Sequence, residues 1–269
     1  MTGEAMRDAD MGDESMTEAV QPAAFAPAHG LGAAAKAQQR ERFWLVGVLV
    51  ALGIGWGSTQ SLGKIAASGG AGPMALVFWQ LAICTAVLGG IAWLRGQRLL
   101  VTAPALRFYV IIAVLGTVAP AASFYVSITR LPAGVMSIII ATVPMIAFPL
   151  GLILGAERFS GRRFAGLLLG LTGVLLIALP SAALPDAAMA AFLPVALIAP
   201  VFYAFEGLYV ARAGTAGMDA VTAMFGASVA GALMALPIML ALGQGYVPSG
   251  FGAPEAAMLA MSSLHALLY

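Results

Sequence analysis

Trp56, Gln60 and Lys64 recur at i, i+4 and i+8, so a helix carries all three on one face. Tyr203, Glu206 and Tyr209 do the same at i, i+3 and i+6. Both sets lie in runs otherwise made of apolar residues. Counted from the middle of its run, near Val201, Glu206 lies roughly 7 Å toward one end. An ionised carboxylate facing lipid at that depth is disfavoured by about a few kcal/mol, so Glu206 must face protein, water or a cation. The tyrosines on its face can hydrogen-bond it or form an aromatic wall, which suits the carboxyl to bind a cationic substrate or to exchange a proton. The alternative is a carboxylate that reaches the headgroups or pairs with Arg212. A second acid, Glu157, stands beside Arg158, Arg162 and Arg163 in a short charged hinge. It either pairs with a hinge arginine or serves in gating or coupling.

The elements that position these residues are membrane-spanning helices. The chain of 269 residues is 61% apolar and 9% charged, against roughly 25% charged in an average soluble domain. A soluble helical protein needs a polar face on every helix, and most runs here have none. Leu131 to Pro180 reads as two such helices, about 24 and 18 residues long, each able to cross or nearly cross a ~30 Å hydrocarbon layer. The four charges of the hinge between them require a water interface. Further helices are expected at about 43–67, 73–94, 108–129, 189–211 and 219–242, with a shorter apolar run at 255–269. About eight helices result, in an all-α integral membrane bundle. The single cysteine, Cys84, excludes an internal disulfide.

The first 42 residues are a different kind of sequence, expected as a disordered cytoplasmic tail. They are rich in Ala, Gly, Glu and Asp and contain one aromatic residue, Phe25, too little apolar surface to offset the entropy of ordering. The acidic start lacks the basic region of a signal peptide. Methionines at 1, 6, 11 and 16 leave open a true start downstream of residue 1.

The halves repeat. Setting Trp56 over Ala204 brings Lys64 over Arg212, and after a two-residue deletion Pro73 over Asp219 and Trp79 over Phe225. A first repeat of five helices over 43–180 then leaves a second, over 189–269, with three. Because five is odd, the second copy enters the membrane in the opposite sense, the inverted plan that puts a substrate site at mid-membrane between the halves. With the N-terminus in the cytoplasm, eleven of the thirteen basic residues fall inside and only Lys64 and Arg130 outside.

Pro144 within a helix, Gly155 to Arg158 (Gly-Ala-Glu-Arg) at its exit, and Gly166, Gly170 and Gly173 in the next helix resemble the helix 4 to helix 5 signature of the EamA family, in the drug/metabolite transporter superfamily. Trp56-Gly57-Ser58 in the first helix is similar to the family's usual pattern, and the resemblance is expected to cover 43–269. It departs at Gln80, where these proteins often carry arginine, which weakens any anion-binding role for the second helix. The resemblance implies a ten-helix plan, so this chain would be a truncated form lacking counterparts of helices 4 and 5. It also implies a secondary transporter that moves a small metabolite or amphipathic compound across the inner membrane by alternating access, with proton-driven export.

The residues expected to line the substrate site are Trp56, Gln60, Tyr203 and Glu206, with Glu206 and Glu157 in coupling or gating. Expected partners are a small-molecule substrate, protons and membrane lipid, with a homodimer left open. A net charge of +1 gives no basic surface for nucleic acid. No cofactor or metal is expected, since His29 and His265 stand alone in sequence. An enzyme is not expected, because a zinc motif, a nucleophile elbow and paired intramembrane aspartates are all missing. Gly57 to Lys64 resembles a phosphate loop only loosely, with one residue too many between its glycines and no preceding strand. Gly166, Gly170 and Gly173 read as a close-packing face. The remaining alternative is a non-transporting structural or assembly protein.

Overall fold

A computed structural model describes residues 29–178, 187–248 and 250–268. Among them the chain is all helical. Eight helices follow one another: α1 (His29–Ala67), α2 (Pro73–Leu94), α3 (Ala103–Ile128), α4 (Ala133–Ile153), α5 (Gly161–Ala178), α6 (Leu193–Ala213), α7 (Ala220–Ala241) and α8 (Ala253–Leu268). A single turn, Ala187–Ala190, precedes α6. Six of the helices, all but α5 and α8, are long and apolar enough to cross a membrane.

Most boundaries agree with the hydrophobic runs, and the exceptions have local causes. The first is α1, which begins at His29, so residues 29–42 are helical where a disordered tail was expected. This stretch holds Ala, Gln, Lys, Arg and Glu, good helix formers that extend a helix already nucleated by the apolar run. Residues 1–28, the rest of that expected tail, lie outside the described residues, as does the linker 179–186. The chain divides after Leu49, and the bundle discussed below begins at Val50. α3 starts about five residues earlier than expected, because Thr102 accepts from the Ala105 N–H and Pro104 occupies the first turn.

Prolines break three of the helices internally. In α3, Ala113–Val118 forms a π turn immediately before Pro120; the proline has no N–H for the Gly116 carbonyl, so the ladder shifts register there. α4 is interrupted at Thr142, two residues before Pro144, and the Thr142 hydroxyl donates to the Ile139 carbonyl at 2.6 Å. α6 is interrupted at Leu197, three residues before Pro200.

Packing centres on α7, which lies against α2 and α3, while α8 covers another face of α2 and α6 lies against α3 and α4. Close approach depends on small residues. A Cβ at Gly226 would run into the ring of Tyr109, one at Gly89 would come within 2.9 Å of Phe225, and one at Gly231 within 3.0 Å of Leu81. The α5 glycines differ from expectation, since a Cβ at Gly166, Gly170 or Gly173 would meet no atom within 4 Å. That face is open space, and the tight small-residue contacts fall on α2 and α7.

Polar contacts group the helix ends into two sets. At one end the Lys64 ammonium donates to the Leu131 carbonyl at 3.1 Å, next to Arg130. The α7–α8 loop meets the start of α2: Gln244 Oε1 accepts from the Met74 N–H at 2.8 Å, and the Trp79 indole donates to the Tyr246 carbonyl at 2.9 Å. At the other end Arg212 donates to the Leu154 carbonyl and Arg163 pairs with Glu157.

Candidate functional site

Trp56 on α1 and Tyr203 on α6 meet edge to face, with ring centroids 6.0 Å apart and planes at 82°. The two rings form the inner wall of an open cleft between α4, α5 and α6. It consists of two adjoining cavities of about 620 and 490 Å³ that share Val143, Pro144, Gly166, Leu167 and Tyr203. Its lining is mostly apolar. Glu157 and Arg163 border the larger cavity, Trp56 and Gly170 the smaller. The bareness of Gly166 and Gly170 is what leaves the space open, so these glycines widen a cavity where the sequence suggested a helix contact.

Behind Tyr203 lies a second, much smaller chamber, with about 20 Å³ free, room for roughly one water. Five helices line it, bringing Gln80 and Cys84 from α2, Gly116 and Thr117 from α3, Tyr203 from α6, Ser228 from α7 and His265 from α8. A chain of polar contacts runs along its wall. The Tyr125 hydroxyl, fully buried, donates to Gln80 Oε1 at 2.9 Å, and Gln80 Nε2 lies 3.4 Å from His265 Nδ1. His265 in turn meets the edge of Trp56, with centroids 6.3 Å apart. Cys84 is 6% exposed and donates to the Ser262 carbonyl at 3.3 Å.

Glu206 points to α3. Its carboxyl fills the space where a Cβ on Gly116 would stand. Gly116 belongs to the π turn and also lines the small chamber, whose lining does not include Glu206 itself. Arg212 reaches the Leu154 carbonyl, and the Glu206–Arg212 ion pair weighed as an alternative is not formed.

Of the four residues expected to share one cavity, Trp56 and Tyr203 are brought together. Gln60 is buried at 7% exposure, its Oε1 has no hydrogen-bond partner, and it lines neither cavity of the cleft. Lys64, on the same sequence row, is at the helix end on the Leu131 carbonyl. Glu157 is half-exposed and paired with Arg163 at the mouth of the cleft.

Sequence reasoning missed the cluster of Gln80, Tyr125 and His265. Their separations of 45 and 185 residues leave no local pattern; the one available signal was three hydrogen-bonding side chains in otherwise apolar runs. Among the described residues no group of three or more His, Cys, Asp or Glu could hold a metal ion.

Residues 43–179 match the EamA-like transporter family, a shorter reach than the 43–269 expected from the motifs. No curated protein matches the chain significantly. The match takes in α2 to α5 and most of α1, including Trp56, Gln80, Pro144 and the Gly155 to Arg158 hinge, and covers half of the sequence. The chain is a multi-pass helical membrane protein that belongs to the EamA-like transporter family.

Proposed function

We propose that the chain is a secondary transporter that moves a small metabolite or amphipathic compound across the inner membrane by alternating access, in the direction of export and coupled to protons. The observation that carries this reading is the position of Tyr203, which separates a large, mostly apolar cleft from a small polar chamber beside an intramembrane carboxyl. The cleft suits the body of an amphipathic molecule, held against Trp56 and Tyr203. Glu206 is the coupling group, since an acid inside the membrane-spanning region is costly unless it serves a path for cations or protons. Gln60, one turn along α1 from Trp56 with an unpartnered buried oxygen, is a polar contact for a substrate that moves deeper. The Glu157–Arg163 pair gates the cleft mouth. The working arrangement is two inverted repeats, 43–180 and 189–269, with the N-terminus in the cytoplasm, and it is compatible with a homodimer.

The test compares the medium of cells that overproduce the native chain, the Glu206→Gln variant or neither. The expected result is a set of compounds that accumulates severalfold with the native chain, depends on external pH, and falls to background with the variant at equal membrane abundance. Equal media with and without the native chain would favour a structural or assembly role. Equal accumulation with native and variant chains would remove Glu206 from the cycle.

A further inference from the structure

We infer that the cavity between α2, α8 and the α7–α8 loop binds one acyl chain of a membrane phospholipid whose head ends in a primary ammonium, with that ammonium on Glu255. The cavity holds about 210 Å³ and shares no lining residue with the cleft or the small chamber. An apolar cavity of about 150 Å³ already takes up a benzene-sized guest.

The shape of the cavity suits a lipid tail. α2 supplies Leu76, Trp79 and Ile83 at i, i+3 and i+7, one face of the helix. That face begins in the first turn of α2 and extends roughly 10 Å along its axis. Because α2 is long and apolar enough to cross the membrane, a chain lying along this face runs in the direction of the surrounding lipid tails. Phe251, Met258 and Leu259 complete the apolar lining. Phe251 and Leu259 are also exposed, so the lining is continuous with the apolar outer surface of the bundle, from which a tail can enter.

The mouth of the cavity selects the head. The Trp79 indole donates to the Tyr246 carbonyl at 2.9 Å, and the Tyr246 hydroxyl donates to Glu255 Oε1 at 2.7 Å. Amphipathic rings held at a helix end in this way belong at headgroup level. The Gly252 N–H donates to Glu255 Oε2 at 3.0 Å. These bonds favour the ionised carboxyl, and each of its oxygens keeps a further lone pair. Among the described residues that line the cavity, Glu255 is the one that carries a charge. An ammonium head supplies both the opposite charge and the N–H donors. A choline head has no N–H to give, and an anionic head meets a carboxylate with no Lys or Arg in the lining.

The test uses three phospholipid probes with a photoreactive group in the tail and ethanolamine, choline or glycerol as the head, each added to the native chain in lipid nanodiscs. Labelled peptides are identified by mass spectrometry. The expected result is labelling within 76–83 and 250–259 by the ethanolamine probe, severalfold above the other two. Glu255→Gln, which keeps an acceptor for Gly252, should reduce that labelling roughly twofold to fivefold, the range of an exposed ion pair. Ala71→Leu fills the cavity without touching the carboxyl and should abolish labelling by all three probes there. Equal labelling by the three heads, or labelling unchanged in both variants, would overturn the inference. Displacement of the ethanolamine probe by dodecylammonium but not by unlabelled phosphatidylethanolamine would also overturn it, and would assign the cavity to a free amphiphile.

Discussion

The ring of Tyr203 stands edge-on to that of Trp56 and closes the wall between the open cleft and the polar chamber. The chamber side of that wall contains the single cysteine, Cys84. Removing the ring in Tyr203→Ala should join the two spaces. The rate at which a small methanethiosulfonate reagent modifies Cys84 should then rise by roughly an order of magnitude, since reactivity of a buried thiol is limited by access. Tyr203→Phe retains the ring and should label at the native rate. Equal labelling of native and Tyr203→Ala chains would show that Tyr203 does not separate the spaces.

The helices were legible in the sequence because each is a run of apolar residues long enough to span, and α2 runs over the expected Pro73–Leu94. What the runs could not convey was the effect of proline within them. The π turn at Ala113–Val118 arises where Pro120 withholds a donor, and it is this turn that contains Gly116, the seat of Glu206. Periodicity set Trp56 and Gln60 on one face of α1, yet one ring reaches the cleft and the other side chain is packed away from it. A helical face is broad, and the partners each side chain meets, such as Tyr203 on α6 and His265 on α8 against Trp56, decide where it ends. The glycines of α5 illustrate the same limit, since spacing alone does not distinguish a face that receives a helix from one that borders a cavity.

The Gln244–Met74 hydrogen bond carries a consequence for topology. It joins the α7–α8 loop to the start of α2, so Gly245 and the α2–α3 loop at the other end of α2 belong on opposite membrane faces. Cysteines replacing Gly245 and Val101, which is 74% exposed, can be tested one at a time in a Cys84→Ser background in intact cells. With a cytoplasmic N-terminus, Gly245→Cys should react with an impermeant thiol reagent from outside, and Val101→Cys only after the cells are opened. The reverse pattern would invert the orientation, and labelling of both from outside would contradict the helix order.

Asp219 caps α7, accepting from the Val221 and Thr222 N–H groups at 3.0 and 3.3 Å. The Thr222 side chain contributes most to holding the carboxyl below its ordinary value of 3.8; the backbone N–H groups and Gln97 act in the same direction, and slight burial acts against them. A carboxyl whose folded-state value is depressed stabilises the fold above its unfolded value, and that contribution disappears as pH falls through the folded value. Asp219→Ala should therefore cost about 1 kcal/mol near neutral pH, the usual worth of such a cap, and the gap from the native chain should narrow as the pH falls below the ordinary carboxylate range and the carboxyl is protonated. Asp219→Asn keeps an acceptor for the cap and should lie between the two at neutral pH while losing the pH-dependent part. Thermal unfolding in detergent, followed by intrinsic fluorescence across that range, gives the comparison. A gap between the native chain and Asp219→Ala that stays constant from neutral to acid pH would show that the ionised carboxyl is not what stabilises the start of α7.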